Sequence, residues 1–206
     1  MSVEIQPAVR TTAQPDAVPT MPIWRLSVGQ YHDMIAAGIL TDDDPVELLE
    51  GWLVPKMPKN PARRLSTQLT REALERALPA GWYVDAQEPI TTSDSEPEPD
   101  VVVVRGERRR YHDRHPGPED VALVVEIADT TLQRDRTIKK RLYARAGIPR
   151  YWIVNLVDRQ IEAYAQPRGG DEADYLDQQI YHISDEMPVT LGDGEVMRIA
   201  VRDLLP

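Results

Sequence analysis

Cysteine is absent from this chain of 206 residues, which excludes disulfides and thiolate metal centres. Phenylalanine is absent as well, so Leu, Val, Tyr and Trp must supply the bulk of any core. No apolar run approaches the roughly 20 residues of a membrane span, so no membrane association is expected. No apolar signal region follows Met1, and a cytoplasmic location is the corresponding expectation. Neither an internal repeat nor a glycine-rich phosphate loop is present. Positive charge is scarce, with 24 Lys and Arg against 34 Asp and Glu and a net charge of −10. Such a balance disfavours non-specific DNA binding, because cations that neutralise phosphates supply most of that affinity. The scarcity is uneven: residues 105–150 hold 12 of the 24 cations against 7 acids, a local excess of +5 that leaves −15 for the rest. A basic zone beside carboxylates is what a phosphodiesterase requires. Taken alone, Arg108-Arg109-Arg110 reads equally as a solvated loop.

With 41% apolar residues the chain can bury a core of ordinary size. The expectation is one domain over 23–206 behind a flexible tail, 1–22, rich in Pro, Thr, Ala and Gln and without periodicity.

The stretch from Pro99 to Tyr151 carries the chemistry. Val101–Val104 and Val121–Val125 are short, β-branched runs bounded by Pro, Gly or charge, the pattern of strands buried on both faces. Asp100 opens one run and Glu126 nearly closes the other. If the two strands are antiparallel neighbours, the carboxylates meet at one sheet end and suit a hard divalent cation. Taken singly, Glu126 also reads as a strand-ending carboxylate paired with a nearby arginine. A helix over 134–146 follows, stopped by Gly147 and Pro149, with Ile138, Leu142 and Ala146 available for its core face. Asp135, Lys139 and Tyr143 recur every fourth residue and share one stripe, while Lys140 is rotated about 100° away. The stripe reads either as an exposed ion pair or as one that returns Lys139 to the carboxylates.

In order and spacing these pieces resemble the widespread bacterial restriction-endonuclease family of the PD-(D/E)xK nuclease superfamily. The matching residues are Glu47-Leu48-Leu49-Glu50-Gly51, Pro99-Asp100 with its valines, Val125-Glu126-Ile127, Asp135 to Gly147, and Tyr151-Trp152-Ile153-Val154-Asn155. The resemblance spans roughly 25–165. It implies an α/β domain of restriction-endonuclease type, with a central mixed β-sheet flanked by helices around 62–78 and 134–146. It further implies a Mg2+-dependent DNA endonuclease, with Mn2+ as a possible substitute and a homodimer as the expected assembly. Asp100, Glu126 and Lys139 would be catalytic. Asp100, Glu126 and the Ile127 carbonyl would hold the metal, and Glu47 and Tyr143 would support them. Arg63, Arg108, Arg109 and Arg110 would contact nucleic acid. Two departures stand out. Ala128 occupies the position two after the glutamate where the superfamily has its usual lysine, and Arg63 stands where the family commonly has a histidine. The rival reading is a catalytically inactive nuclease-fold module that binds nucleic acid or a protein partner.

Elsewhere, Ser27 to Gln30 predicts a capping box opening a helix that runs to Gly38. Val46–Val54 predicts a hairpin around Gly51. Asn60-Pro61 predicts the start of a helix whose core face carries Leu65, Leu69, Ala73, Leu74 and Leu78. A strand interrupted by Pro89 is expected over 82–90, a hairpin over 151–165, an edge strand over 178–184 and a helical turn at 201–205. Glu98 could support Asp100 from outside, and His112 with His115 form a weak zinc pattern. Lys139→Ala would be expected to leave folding nearly unchanged. The apolarity of Tyr151–Val154 suggested a surface for dimerisation.

Overall fold

The computed structural model describes residues 22–41, 43–192 and 194–206. Apart from Pro22, the tail expected over 1–22 lies outside them.

Six strands form the central sheet: β3 (Trp82–Asp85), β4 (Val101–Arg105), β5 (Val121–Ala128), β6 (Arg150–Asn155), β7 (Gln160–Arg168) and β8 (Asp174–His182), in that spatial order. Neighbours are antiparallel except β5 and β6, whose parallel pairing requires a crossover. Helical segment α3, residues 132–145, supplies it. The chain is thus a mixed α/β fold, as the sequence pattern predicts. β1 (Val46–Leu49) and β2 (Trp52–Pro55) form a separate hairpin, and so do β9 (Glu186–Leu191) and β10 (Gly194–Ala200), a pair the sequence reading did not foresee. The predicted strand over 82–90 ends at Asp85.

Alternation sorts each central strand between two cores. Val101, Val103, Leu123, Val125 and Ile127 join Leu74 of α2 (Pro61–Ala77), Met187 and Leu204 on one face. Val102, Val104, Val124 and Ala128 join Leu142, Tyr143 and Tyr151 on the other. Burial on both faces is why β4 and β5 read as continuous apolar runs. It also accounts for the apolarity of β6, an interior strand, so that run no longer argues for a dimer surface.

α1 (Val28–Ala36) begins with the predicted box, Ser27 Oγ accepting from Gln30 N and Gln30 Oε1 accepting from Ser27 N. α2 departs from its predicted face. Leu65 is exposed, and the helix buries Arg63, Ser66, Thr67 and Thr70 beside Ala73 and Leu74. Two of these hydroxyls bond to carbonyls, Ser66 Oγ to Leu204 O at 2.6 Å and Thr67 Oγ1 to Arg63 O at 2.9 Å. Small bonded hydroxyls therefore serve where bulky leucines were expected. Among the described residues no helix is long and apolar enough to cross a membrane.

Candidate active site

The register that pairs Val101 with Val125 places Asp100, one step further out, opposite Glu126. Alternation then sends both carboxylates to the face covered by α3, because Asp100 shares parity with Val102 and Glu126 with Val124. Both are buried. Asp100 Oδ2 accepts from Ile127 N at 2.8 Å, which ties the start of β4 to the end of β5.

The helical segment α3 opens with Leu132–Arg134, widens into a π turn over Asp135–Lys139 and returns to α-helix over Lys140–Arg145. Lys140 N donates to Asp135 O, five residues back. The wider turn changes which residues face inward. Ile138, predicted for the core, is 37% exposed, whereas Asp135 and Lys139 are buried, so the reading of an exposed ion pair does not hold. Single π turns inside helices are frequent at functional sites. Lys139 Nζ lies 2.8 Å from Glu126 Oε1 and 3.3 Å from Glu47 Oε2. Tyr143 donates its hydroxyl to the same Glu126 Oε1 at 2.8 Å. Glu47, expected on a hairpin, sits on β1 and is buried, its Oε2 also accepting from Glu98 N at 3.1 Å. Lys140 points elsewhere, pairing with Asp174 at 2.9 Å.

Removing Lys139 would leave Glu126 and Glu47 buried without their shared cation. The expectation that Lys139→Ala spares folding is therefore corrected, since a broken buried pair costs about 3–5 kcal/mol.

Arg63 is the main departure. It was expected to contact nucleic acid, but its guanidinium is buried against Asp100 Oδ2, with Nη2 at 2.8 Å and Nε at 3.3 Å. The cause is the helix start: Asn60 Oδ1 caps Arg63 N at 2.9 Å and directs the first turn of α2 at the strand end. Arg108, Arg109 and Arg110 lie on a short 3-10 turn beyond Arg105. Asp100 and Arg105 bracket β4 and lie about 17 Å apart along it, so the basic run leaves the sheet at the end opposite the carboxylates, with Arg108 reaching back to bond Val84 O. Arg108 and Arg110 pack over the Tyr83 and Tyr111 rings. The cations near the site are others that the sequence reading passed over. Lys59 feels both Asp100 and Arg63, and burial, the largest cause, lowers its pKa against the opposing pull of Asp100, with Arg63 adding to the fall. Arg134 acts on Asp135. Lys56 bonds Glu98. Only proximity to a strand end in space marks these residues, and the linear sequence carries no signal for it.

Four carboxyls, Glu47, Asp100, Glu126 and Asp135, are thus buried with two cations, Arg63 and Lys139. The deficit equals the charge of one divalent ion. Burial pushes Glu126 up to about 8 against the pull of Lys139, with Asp100 adding to the rise. Burial likewise raises Asp135, against Lys139 and the Thr131 hydroxyl. Burial alone would lower Lys139, but Glu126, Glu47 and Asp135 hold it above the ordinary lysine value. One oxygen is left over: Glu126 Oε2 is buried without a hydrogen-bond partner. An orphaned carboxylate oxygen beside a second carboxylate is the donor chemistry that a hard cation takes. As the side chains stand, no group of three or more His, Cys, Asp or Glu among the described residues is set to hold a metal, and His112 with His115 gain no third such partner.

The fold is that of a solved nuclease-like protein. The chain superposes with a TM-score of 0.61 at 12% identity on a structure described as "a putative nuclease belonging to DUF820 from Anabaena variabilis ATCC 29413", over 87% of this chain and 97% of that one. The profile of the Uma2 family, described as "Putative restriction endonuclease", matches residues 28–196, and the chain belongs to that family. No curated protein matches it.

Proposed function

We propose that the protein is a Mg2+-dependent DNA endonuclease whose site is the β4–β5 strand end. The observation that carries this reading is the unpartnered Glu126 Oε2 at the same strand end as Asp100, in a buried cluster of four carboxyls and two cations. Asp100, Glu126 and the Ile127 carbonyl would hold the cation, which supplies Lewis acidity and a water of lowered pKa. The protein's own groups do the rest. Tyr143 and Lys139 both grip Glu126 Oε1, and this fixes the carboxylate so that Oε2 is the free donor. Lys139 has three N–H donors, two of them directed at Glu126 and Glu47, and the third is available to orient the attacking water or a phosphate oxygen. Hydrolysis adds that water to phosphorus and breaks the bond to the departing sugar oxygen, which takes up a proton.

Titration calorimetry with Mn2+ on the wild type and Asp100→Ala, together with nicking of plasmid DNA with and without chelator, tests the reading. Heat and cleavage that both vanish in Asp100→Ala support it. Intact DNA at saturating Mn2+ sinks it. One observation favours the rival, a module that binds without cutting: Arg63 already neutralises Asp100. That rival predicts DNA binding with neither metal heat nor cleavage. Cutting both strands with one site per chain calls for two copies, and a monomer by sedimentation at micromolar concentration would remove the dimer from this reading.

A further inference from the structure

We propose that Arg63 is a resident counterion for the cation position, a positioning residue that pairs with Asp100 in the metal-free protein and turns to the phosphodiester when the cation enters. The inference rests on the metal-site reading above and adds to it an account of how the site is kept closed.

Arg63 Nε and Nη2 both bond to Asp100 Oδ2, which also accepts from Ile127 N. That oxygen is saturated by three donors, and none of them uses Oδ1. A divalent ion that joined Glu126 Oε2 to Asp100 would stand beside the guanidinium, and two cations sharing one carboxylate repel each other. Binding of metal and retention of the Arg63–Asp100 bond are therefore linked, each weakening the other by the same factor. The guanidinium can move without the helix. The first turn of α2 is fixed by the Asn60 cap, so only the flexible side chain need move. A planar fork freed from Asp100 matches two oxygens of a phosphodiester, and Lys59 is near enough to act on the same carboxylate.

Mn2+ affinity is measured by calorimetry on the wild type, Arg63→Gln, Asp100→Asn and the double variant, after near-UV circular dichroism has shown each to be folded. Arg63→Gln should bind Mn2+ about tenfold more tightly than wild type, and Asp100→Asn should remove that gain in either background. Equal or weaker binding by Arg63→Gln, with Asp100→Asn still abolishing it, overturns the counterion while the metal site stands. No Mn2+ binding by any folded variant overturns both. Should Arg63→Gln fail to fold, the wild type decides: the Arg63 Nε–H resonance, protected in chelator, should shift and lose protection as Mg2+ is titrated. An unmoved, protected resonance at saturating Mg2+ ends the proposal.

Discussion

The two ends of β4 and β5 carry charge in opposite ways. At the Asp100 end the ionic groups are buried and answer one another: Arg63 on Asp100, Lys139 across Glu126 and Glu47. At the Arg105 end the cations are exposed, resting on ring faces, with Arg105 over Trp82 at 4.8 Å, Arg108 over Tyr83 at 4.8 Å and Arg114 over Tyr111 at 5.0 Å. Only Asp120 is buried there, and it accepts from Arg114 at 2.8 Å and Gly117 N at 3.1 Å. Charge density along the sequence is similar at both ends; solvent access differs. A buried cluster holds its charges at fixed distances and stakes stability on every member, whereas exposed cations over rings can be lost one at a time.

The largest effect should separate the ends by substitution. Lys139→Ala is expected to cost about 3–5 kcal/mol in urea unfolding at neutral pH and to abolish cleavage. A loss no larger than that of a surface lysine would mean that the cluster is wetter than its burial implies.

Next comes pH, which should act in opposite senses at the two ends of the metal-free protein. Glu126 titrates higher folded, about 8, than its ordinary 4.5, so its contribution is complete below 4.5 and is lost as pH rises toward 8. Asp120 titrates below its ordinary 3.8, because the bonds from Arg114 and Gly117 N overcome the rise that burial causes. Its contribution is present above 3.8 and is lost as pH falls through the lower folded value. Stability against pH in chelator should flatten between 4.5 and 8 in Glu126→Gln, and on the acid limb in Asp120→Asn. Exchange of these two effects would reverse the comparison.

Tyr143→Phe removes one donor from Glu126 while Lys139 remains, and should cost about 1.5 kcal/mol by thermal or urea unfolding. Arg108→Ala should cost least, about 0.5–1 kcal/mol for an exposed cation over a ring, with cleavage rate unchanged. A large loss of cleavage there would bring the far end into the substrate path.

Much of this was legible in the chain. Asp100 at the start of one run and Glu126 near the end of another suffice, given antiparallel pairing, to bring the two together, and the four-residue spacing separates Lys139 from Lys140. The same pairing argument also removes Arg108 to Arg110 from the carboxylates, because the residue that opens β4 and the loop that leaves it stand at opposite ends. The inward face of α3 was not legible, since a π turn rotates Ile138 outward without any change of composition. Nor was the role of Arg63: Asn60-Pro61 announces a helix, but which of its residues meets Asp100 is decided by how α2 packs on the sheet. The buried Ser66 follows the same logic, for its fit depends on the Leu204 carbonyl opposite.

The missing phenylalanine has an optical consequence. Tyr143, Tyr151, Tyr164 and Tyr175 form a contiguous stack, with centroids 5.1 Å apart for Tyr143 and Tyr151, 5.8 Å for Tyr151 and Tyr164, and 6.1 Å for Tyr164 and Tyr175. A phenylalanine core would need no polar partners, but each of these hydroxyls has one: Glu126, Asp135 O, Glu162 and Ile148 O in turn. The stack runs from Glu126 to the sheet's edge strand, and its first two rings are anchored by groups of the candidate site, Glu126 and Asp135 O. Such rings act as coupled chromophores, and the chain carries a built-in near-ultraviolet dichroic signal whose loss would register any loosening around Glu126 without an added label.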